Sequence, residues 1–560
     1  MLLSCAKQGL PPGGPEDQRG PIILSTVPTA DSIGIPCDIQ PVFQFDEYVD
    51  RALVEAATFI SPFPEGTVRF KWKGKRVRLV FPQPLRENMT YVITMGTGIK
   101  DLRGNPLPTA FTLAFSTGDH LDRAAISGRI YDNSDLTGTQ VWAYDLSSNP
   151  DPDPQATGPD YVTQADEAGI FELTHLREAS YRIFGINDRR RNRKWDPNED
   201  RIGIAFLDVT AIQDNIAYGV NMMMSLLDTT GARLVSVRAM DQHHLTIRFS
   251  KPVTVDSALG QVSIRDSSDV TLAVQAVFPD PSDSLSWSVV TEPQTDGHRY
   301  FLWGKGFLDN NKNPNLPDSV VFEGSSVPDT LGPRLLQIVP ADRSRDVPDK
   351  PNIRLIFNEE IIADSSALSF TGAIGEPLTF DWHIDGLLLI AALRDSMPGI
   401  NVTAYLRLPM IQDWFGNAGA DSTVYFGFFI VSRDTLGEIH GTVEDSVASA
   451  LGRIFIEADR LDMVNSQWHE QWQIIGPGDF RLRWLLPGKY RIQAFRDEDW
   501  SGAYSYGSPY PFVLSERFAV YPDTVTVRSR WETAGVTIAL PARQAVLFHS
   551  ETSDSLKGKQ

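Results

Sequence analysis

Residues 20–50 read GPIILSTVPTADSIGIPCDIQPVFQFDEYVD, and residues 332–362 read GPRLLQIVPADRSRDVPDKPNIRLIFNEEII. Without a gap, Gly20-Pro21 falls on Gly332-Pro333, Val27-Pro28 on Val339-Pro340, and Phe45-Asp46-Glu47 on Phe357-Asn358-Glu359. A weaker third copy starts at Ala232, ARLVSVRAMDQHHLTIRFSKPVTVD, and carries Phe249-Ser250-Lys251-Pro252 at the same point. Each copy runs on into a polar turn: Asp101-Leu102-Arg103-Gly104-Asn105, Asp309-Asn310-Asn311-Lys312-Asn313 and Asp413-Trp414-Phe415-Gly416-Asn417. Asp, Asn and Gly suit tight turns because they tolerate positive φ or hydrogen-bond their own backbone. Closing segments follow, FTLAFSTG at 111–118 and VYFGFFIVS at 424–432. Between these landmarks VRLVF (77–81) and TYVITM (90–95) alternate and are rich in β-branched and aromatic residues. That pattern predicts strands with one buried face. About seven such strands in roughly 100 residues make an antiparallel sandwich.

A second repeat lies between and after the first. AISGRIYD at 125–132 matches EIHGTVED at 438–445, and AGIFELTHLREASYRIFGIND (168–188) matches PGDFRLRWLLPGKYRIQAFRDED (477–499). The common skeleton keeps Phe171 and Phe480, then Tyr181-Arg182-Ile183 and Tyr490-Arg491-Ile492. It too predicts a small β-sandwich with a central hairpin. With the first repeat called A and the second B, the order is A-B-A-A-B over 20–119, 120–226, 227–328, 329–432 and 433–543. A tether precedes them (1–19) and a polar tail follows (544–560). The expected fold class is all-β, a tandem array of five antiparallel sandwiches, and short linkers such as Val327-Pro328-Asp329 suggest a semi-rigid rod.

Composition excludes several function classes. Lys+Arg 51 against Asp+Glu 71 leaves −20, which opposes nonspecific nucleic-acid binding over the surface. The basic run Arg189-Arg190-Arg191-Asn192-Arg193-Lys194 reads as a solvated loop or a polyanion patch. Two cysteines, Cys5 and Cys37, provide neither a disulfide framework nor a multi-thiolate metal site. No apolar run is long enough for a membrane-spanning helix.

The A units resemble the bacterial Ig-like domain first described in S-layer proteins. Its marks are an early proline turn, a Phe-x-Glu strand end, an Asp-x-x-Gly-Asn turn and a closing Phe-Ser-Thr-Gly, here Phe115-Ser116-Thr117-Gly118. The second A unit lacks the opening proline. The B units resemble carboxypeptidase-regulatory or prealbumin-like sandwiches. The start MLLSCAKQGLPPGGPED, followed by such an Ig-like domain, resembles a group of Bacteroidota lipoproteins. In a lipoprotein signal an apolar residue and a small residue precede the lipidated cysteine, and Leu2, Ser4 and Cys5 fit those places, although the charged and apolar regions before them are missing. The resemblance implies an outer-membrane-anchored envelope protein, with Cys5 attached to lipid.

Two loops after Tyr-Arg-Ile carry oxygen ligands at calcium-loop spacing. Asp188, Asn192, Asp196 and Glu199 occupy four positions of the first, with Arg190 and Arg193 opposing an ion. Asp497, Asp499, Ser501, Gly502 and Ser505 fit the second, but position twelve is Ser508 where a glutamate belongs. The alternative is a self-satisfied Asx-rich turn. Trp500, Tyr504, Tyr506 and Tyr510, together with Trp484 and Phe512, form an aromatic group that either stacks on sugar rings or closes a core. Catalytic patterns are thin. His469-Glu470 lacks the second histidine of a zinc-protease helix, and His243-His244, adjacent on a strand, should point to opposite faces, one packed and one solvated. The paired acids Asp46-Glu47 and Glu359-Glu360 recur at matched strand ends, which favours a structural role. The expectation is a non-catalytic envelope scaffold or spacer, with no cofactor unless calcium, partnered by a membrane through Cys5 and by an envelope protein or glycan. A carbohydrate-binding module is the alternative, and an accessory part of a secreted hydrolase comes third.

Overall fold

The computed structural model describes residues 18–543 and 546–549, except 65, 133–135, 137, 191, 256–260, 448–450 and 462–469. Cys5 and His469 lie outside the described residues. Among the described residues the chain is all-β apart from one helix, Arg51–Ala56, and two single turns. Asp50 caps that helix by accepting from the amides of Ala52 and Leu53.

In the first A unit a four-stranded sheet (Ile23–Val27, Val42–Phe45, Arg76–Val80, Arg69–Lys73) faces a three-stranded one (Thr58–Ser61, Thr90–Met95, Phe111–Ser116). Their inner faces meet through Phe43, Phe45, Leu79, Ile93 and Phe115, all fully buried. The other two A units repeat the four-stranded sheet down to its register, while the facing sheet has four strands in the second unit and three in the third. Ile23 pairs with Phe45, Leu234 with Phe249 and Leu335 with Phe357, and a bulge follows each pair. Just beyond, the Asp46 carboxylate accepts from the Ile22 amide, the Ser250 hydroxyl from the Arg233 amide and the Asn358 carbonyl from the Arg334 amide. The divergent second copy is thus the same unit as its neighbours.

Both B units build on a first strand, Ala124–Tyr131 or Gly437–Asp445. That strand pairs antiparallel with Ile170–Leu176 or Gly478–Leu485, and parallel with Asn215–Tyr218 or Glu532–Leu540. These sheets are therefore mixed, where alternation alone implied antiparallel pairing throughout. The repeated tyrosines are buried, and each hydroxyl donates to a carbonyl four residues upstream: Tyr181 to Arg177 and Tyr490 to Leu486.

The modules do not extend as a rod. The last B unit folds back onto the first. Phe518 meets the Tyr131 ring at 5.4 Å, and Phe512 meets Phe184 at 6.1 Å while lying 3.4 Å from the Arg182 guanidinium. The Arg543 guanidinium donates to the Phe206 carbonyl. Past the last B unit, Val546–His549 pairs antiparallel with Asn215–Tyr218, extending the first B unit's sheet with backbone that the sequence assigned to a tail. Linker length limits how far neighbouring modules can separate; it does not stop aromatic faces from meeting across the chain.

Candidate functional site

The strand Gly488–Asp497 ends at the second candidate loop. Asp497 is 2% exposed; its Oδ2 accepts from the Gly502 amide, while its Oδ1 has no partner. Asp499 closes an Asx turn on the Ser501 amide and accepts the Ser505 hydroxyl. A third carboxylate comes from outside the loop. Glu516, 4% exposed, accepts from the Glu498 amide (2.6 Å) and the Ser505 amide (3.0 Å). Burial pushes its pKa up to about 7. One oxygen from each of Asp497, Asp499 and Glu516 lies within 4.8 Å of the others. Such a set of hard oxygens fits a divalent cation of the calcium class.

Two corrections follow. Ser501 and Ser505 are not ligands of a calcium loop: the Ser501 hydroxyl donates to the Ala503 carbonyl, and Ser505 serves Asp499 and Glu516. Nor is position twelve the missing acid, because Ser508 starts a short strand, Ser508–Pro509, and Glu516 takes the part. No spacing rule could find Glu516, which reaches the site only because the chain returns into strand Phe518–Val520.

The first loop satisfies itself. Asp188 accepts from the amides of Asn192 and Arg193, Asn192 donates to Asp196, and the Arg190 guanidinium binds Asp196 and Glu199. Asp200, fully buried, takes the amides of Arg189 and Asp196. Asp188, Asp196 and Glu199 form no cluster of acids among the described residues, and the loop takes the form of a self-capped Asx-rich turn. The basic run is partly used as well, since Arg193 lies 4.0 Å over the Phe63 ring of the first A unit.

The aromatic group does not form one platform. Tyr504 packs edge-on against Phe495, Phe518 and Tyr506, and Phe512 is spent on the seam between the B units. Trp500 and Tyr510 remain exposed, with Arg453 over the Trp500 ring, and Trp484 carries Arg433 in the same way. Tyr506 lines a cleft of about 750 Å³ between the two B units, beside Arg129, Asp132, Arg201 and Asp459. Arg201 forks onto Asp132 at 2.7 and 2.8 Å, so these two charges in the cleft are paired.

The histidine pair differs from expectation: both rings are buried, at 8% and 5% exposure. His243 stacks on Phe415 of the third A unit at 4.1 Å, while His244 bridges Asp241 and Glu360 at 2.8 and 3.0 Å. Both rings meet Phe415, at 4.1 and 5.5 Å, so the expected opposite facing does not hold: His243 precedes the strand His244–Phe249, and the next module covers both rings.

Residues 17–117 match the family model described as a bacterial Ig-like domain. Over this stretch the first A unit is similar to a bacterial Ig-like domain. No curated protein matches the chain. Among solved structures it is similar to the N-terminal part of the bacterial S-layer protein SbsC (14% identity, 35% of this chain and 44% of that one, TM-score 0.16). It is also similar to the FN1–FN3 domains of chicken CNTN1 (11% identity, 53% and 99%, TM-score 0.14) and to BcpA, the major pilin subunit of Bacillus cereus (9% identity, 75% and 100%, TM-score 0.14). The chain spans under half the length of the SbsC fragment. Likenesses of this size carry no functional conclusion.

Proposed function

We propose that this protein is a non-catalytic scaffold of the bacterial cell envelope, held to a membrane by lipid on Cys5 and presenting a closed arrangement of sandwiches to an envelope partner. The observation that supports this reading is the fold-back seam. Phe512, Phe518 and Arg182 join modules far apart in the chain, and a scaffold needs such fixed geometry while a string of tethered binding modules does not. The residues that recur between copies, including Asp309, Asp413, Tyr181 and Tyr490, serve turns and corners. None is tied to a nucleophile. In the same reading the cluster of Asp497, Asp499 and Glu516 takes a calcium ion that fixes the loop beside the seam.

The test replaces the gene in its own bacterium. A scaffold predicts that Phe512→Ser, which opens the seam, reproduces the envelope defect of a deletion, while Tyr506→Ala in the cleft is silent. The reverse pattern would transfer the function to carbohydrate or other ligand binding in the cleft. Cys5→Ser should move the protein from the membrane fraction to the soluble one; unchanged fractionation would remove the lipid anchor.

A further inference from the structure

The joints before the second and third A units are built by one recurring set of residues. In the second unit, Asp228 of the linker faces Asp309 of the polar turn. The Asn313 amide group donates to both, to the Asp228 carbonyl at 2.7 Å and to the Asp309 carboxylate at 3.0 Å. In the third unit Asn417 does the same, to the Asp329 carbonyl at 3.3 Å and the Asp413 carboxylate at 2.7 Å. The linker glycines show how closely the two strands of chain approach. A Cβ on Gly231 would sit 1.8 Å from the Pro314 carbonyl oxygen, and one on Gly332 would sit 2.0 Å from that of Ala418. The two joints share these asparagine bonds.

They differ in the turn, where Asn311 adds a second bond to the Asp228 carbonyl that Phe415 cannot make, and at the strand end. After the strand-end phenylalanine the second unit carries Lys251 and the third carries Glu359. The Lys251 ammonium forms an ion pair with Asp228, lies 3.9 Å from Asp309 and donates to the Thr230 carbonyl. It is a built-in cation between the two aspartates. In the third unit a carboxylate stands there instead, and one oxygen from each of Asp329, Glu359 and Asp413 lies within 4.8 Å of the others. The Asp329 side chain is 6% exposed and its Oδ2, 3.9 Å from His244 Nδ1, has no hydrogen-bond partner. Asp241 and His244 share a second such group with Asp329, and Glu360 binds the far nitrogen of His244.

Acidic groups outnumber basic ones at this joint. Five carboxylates (Asp241, Asp329, Glu359, Glu360 and Asp413) face one imidazole, and among the described residues no lysine or arginine pairs with any of them. Buried charge without a partner is costly, and hard oxygens in close array are what calcium binds.

We propose that Asp329, Glu359 and Asp413 bind a divalent cation of the calcium class at the joint between the second and third A units, in the place that Lys251 fills one joint earlier. The ion ties the linker, the strand end and the polar turn together, and so fixes the angle between two sandwiches. In the first A unit Glu47 and Asp101 are the corresponding residues, and their linker partner, Asp17, lies outside the described residues.

The experiment is calcium titration of the full chain, read by calorimetry, by thermal midpoint and by terbium luminescence excited through Trp414, which adjoins Asp413. Asp499→Asn combined with Glu516→Gln first removes the 497–516 loop, so that its behaviour is separated from that of the joint. That background is expected to keep one calcium site with a dissociation constant of about 10⁻³ M or tighter. Adding Glu359→Lys should abolish the site and leave the calcium-free thermal midpoint at or above that of the background, because the lysine copies Lys251. Glu359→Gln should lose binding without that gain, and Lys251→Glu should add a calcium site. The proposal is overturned if the background chain takes up no calcium at millimolar concentration, or if Glu359→Lys leaves binding unchanged.

Discussion

Asp445 is a residue whose loss the structure penalises heavily. Its side chain is fully buried between two arginines that are also inaccessible, Arg517 at 1% and Arg496 at 3% exposure. Arg517 forks onto both oxygens at 2.8 and 3.1 Å, and Arg496 reaches Oδ2 at 3.1 Å. Arg517 also binds Glu498, whose other oxygen pairs with Arg543, so the network links the last B unit's core to its loop and to the chain crossing toward the first B unit. Asp445→Asn keeps the shape but removes the charge and points an amide donor at two guanidinium groups. Breaking a buried pair from one side costs about 3–5 kcal/mol, because the remaining charges stay buried without compensation. For a unit of roughly 100 residues, at about 4 °C per kcal/mol, the thermal midpoint of that module should fall by about 12–20 °C. Differential scanning calorimetry of the full chain reads this as an early transition, and near-UV dichroism assigns it to the aromatic-rich last module. The combined variant Asp445→Leu, Arg496→Met, Arg517→Leu should lose less than Asp445→Asn alone, since it removes all three buried charges. Acidification gives an independent arm. Burial opposes the Asp445 charge, but Arg517 and Arg496 outweigh it and hold the pKa below the usual carboxylate value. The stabilisation is therefore complete above about pH 4 and is lost as pH falls through the lowered folded value. A loss under 1 kcal/mol for Asp445→Asn, or a triple variant worse than the single one, would refute the network's role.

Phe518→Ala should loosen the fold-back seam, since it deletes a ring that is 1% exposed and touches both Tyr131 and Tyr504. Small-angle scattering should then show a larger radius of gyration, and no change would mean that the B units are held by other contacts. At the 497–516 loop, millimolar calcium should raise the last module's melting temperature, and Glu516→Gln should remove that rise as fully as Asp499→Ala does. An effect of Asp499→Ala alone would point back to a local turn. Tyr490→Phe removes the buried bond to the Leu486 carbonyl and should cost about 1 kcal/mol, with Tyr181→Phe similar, both measurable by urea titration. A neutral result at both would show that the corner bond is incidental to the repeat.

Repetition determined much of this protein before any coordinates. The matched Phe45, Phe249 and Phe357 place three strands in one register, and the Asp-x-x-x-Asn turns at Asp101, Asp309 and Asp413 each fold around their own carboxylate, with the same bonds each time. Such features are local: a turn residue and a strand period act within a few residues, so they are written in order along the chain. Asp497 and Asp499 were legible for the same reason. Glu516 was not, because it joins them through a strand pairing set by the sandwich. The joint at Asp329, the burial of both His243 and His244, and the turning back of the last B unit were decided by faces that meet across modules. Alternation tells which side of a strand is buried within its own sandwich. It carries no information about which neighbour covers the other side, and that covering decided where the buried charge, and with it the proposed cation, would lie.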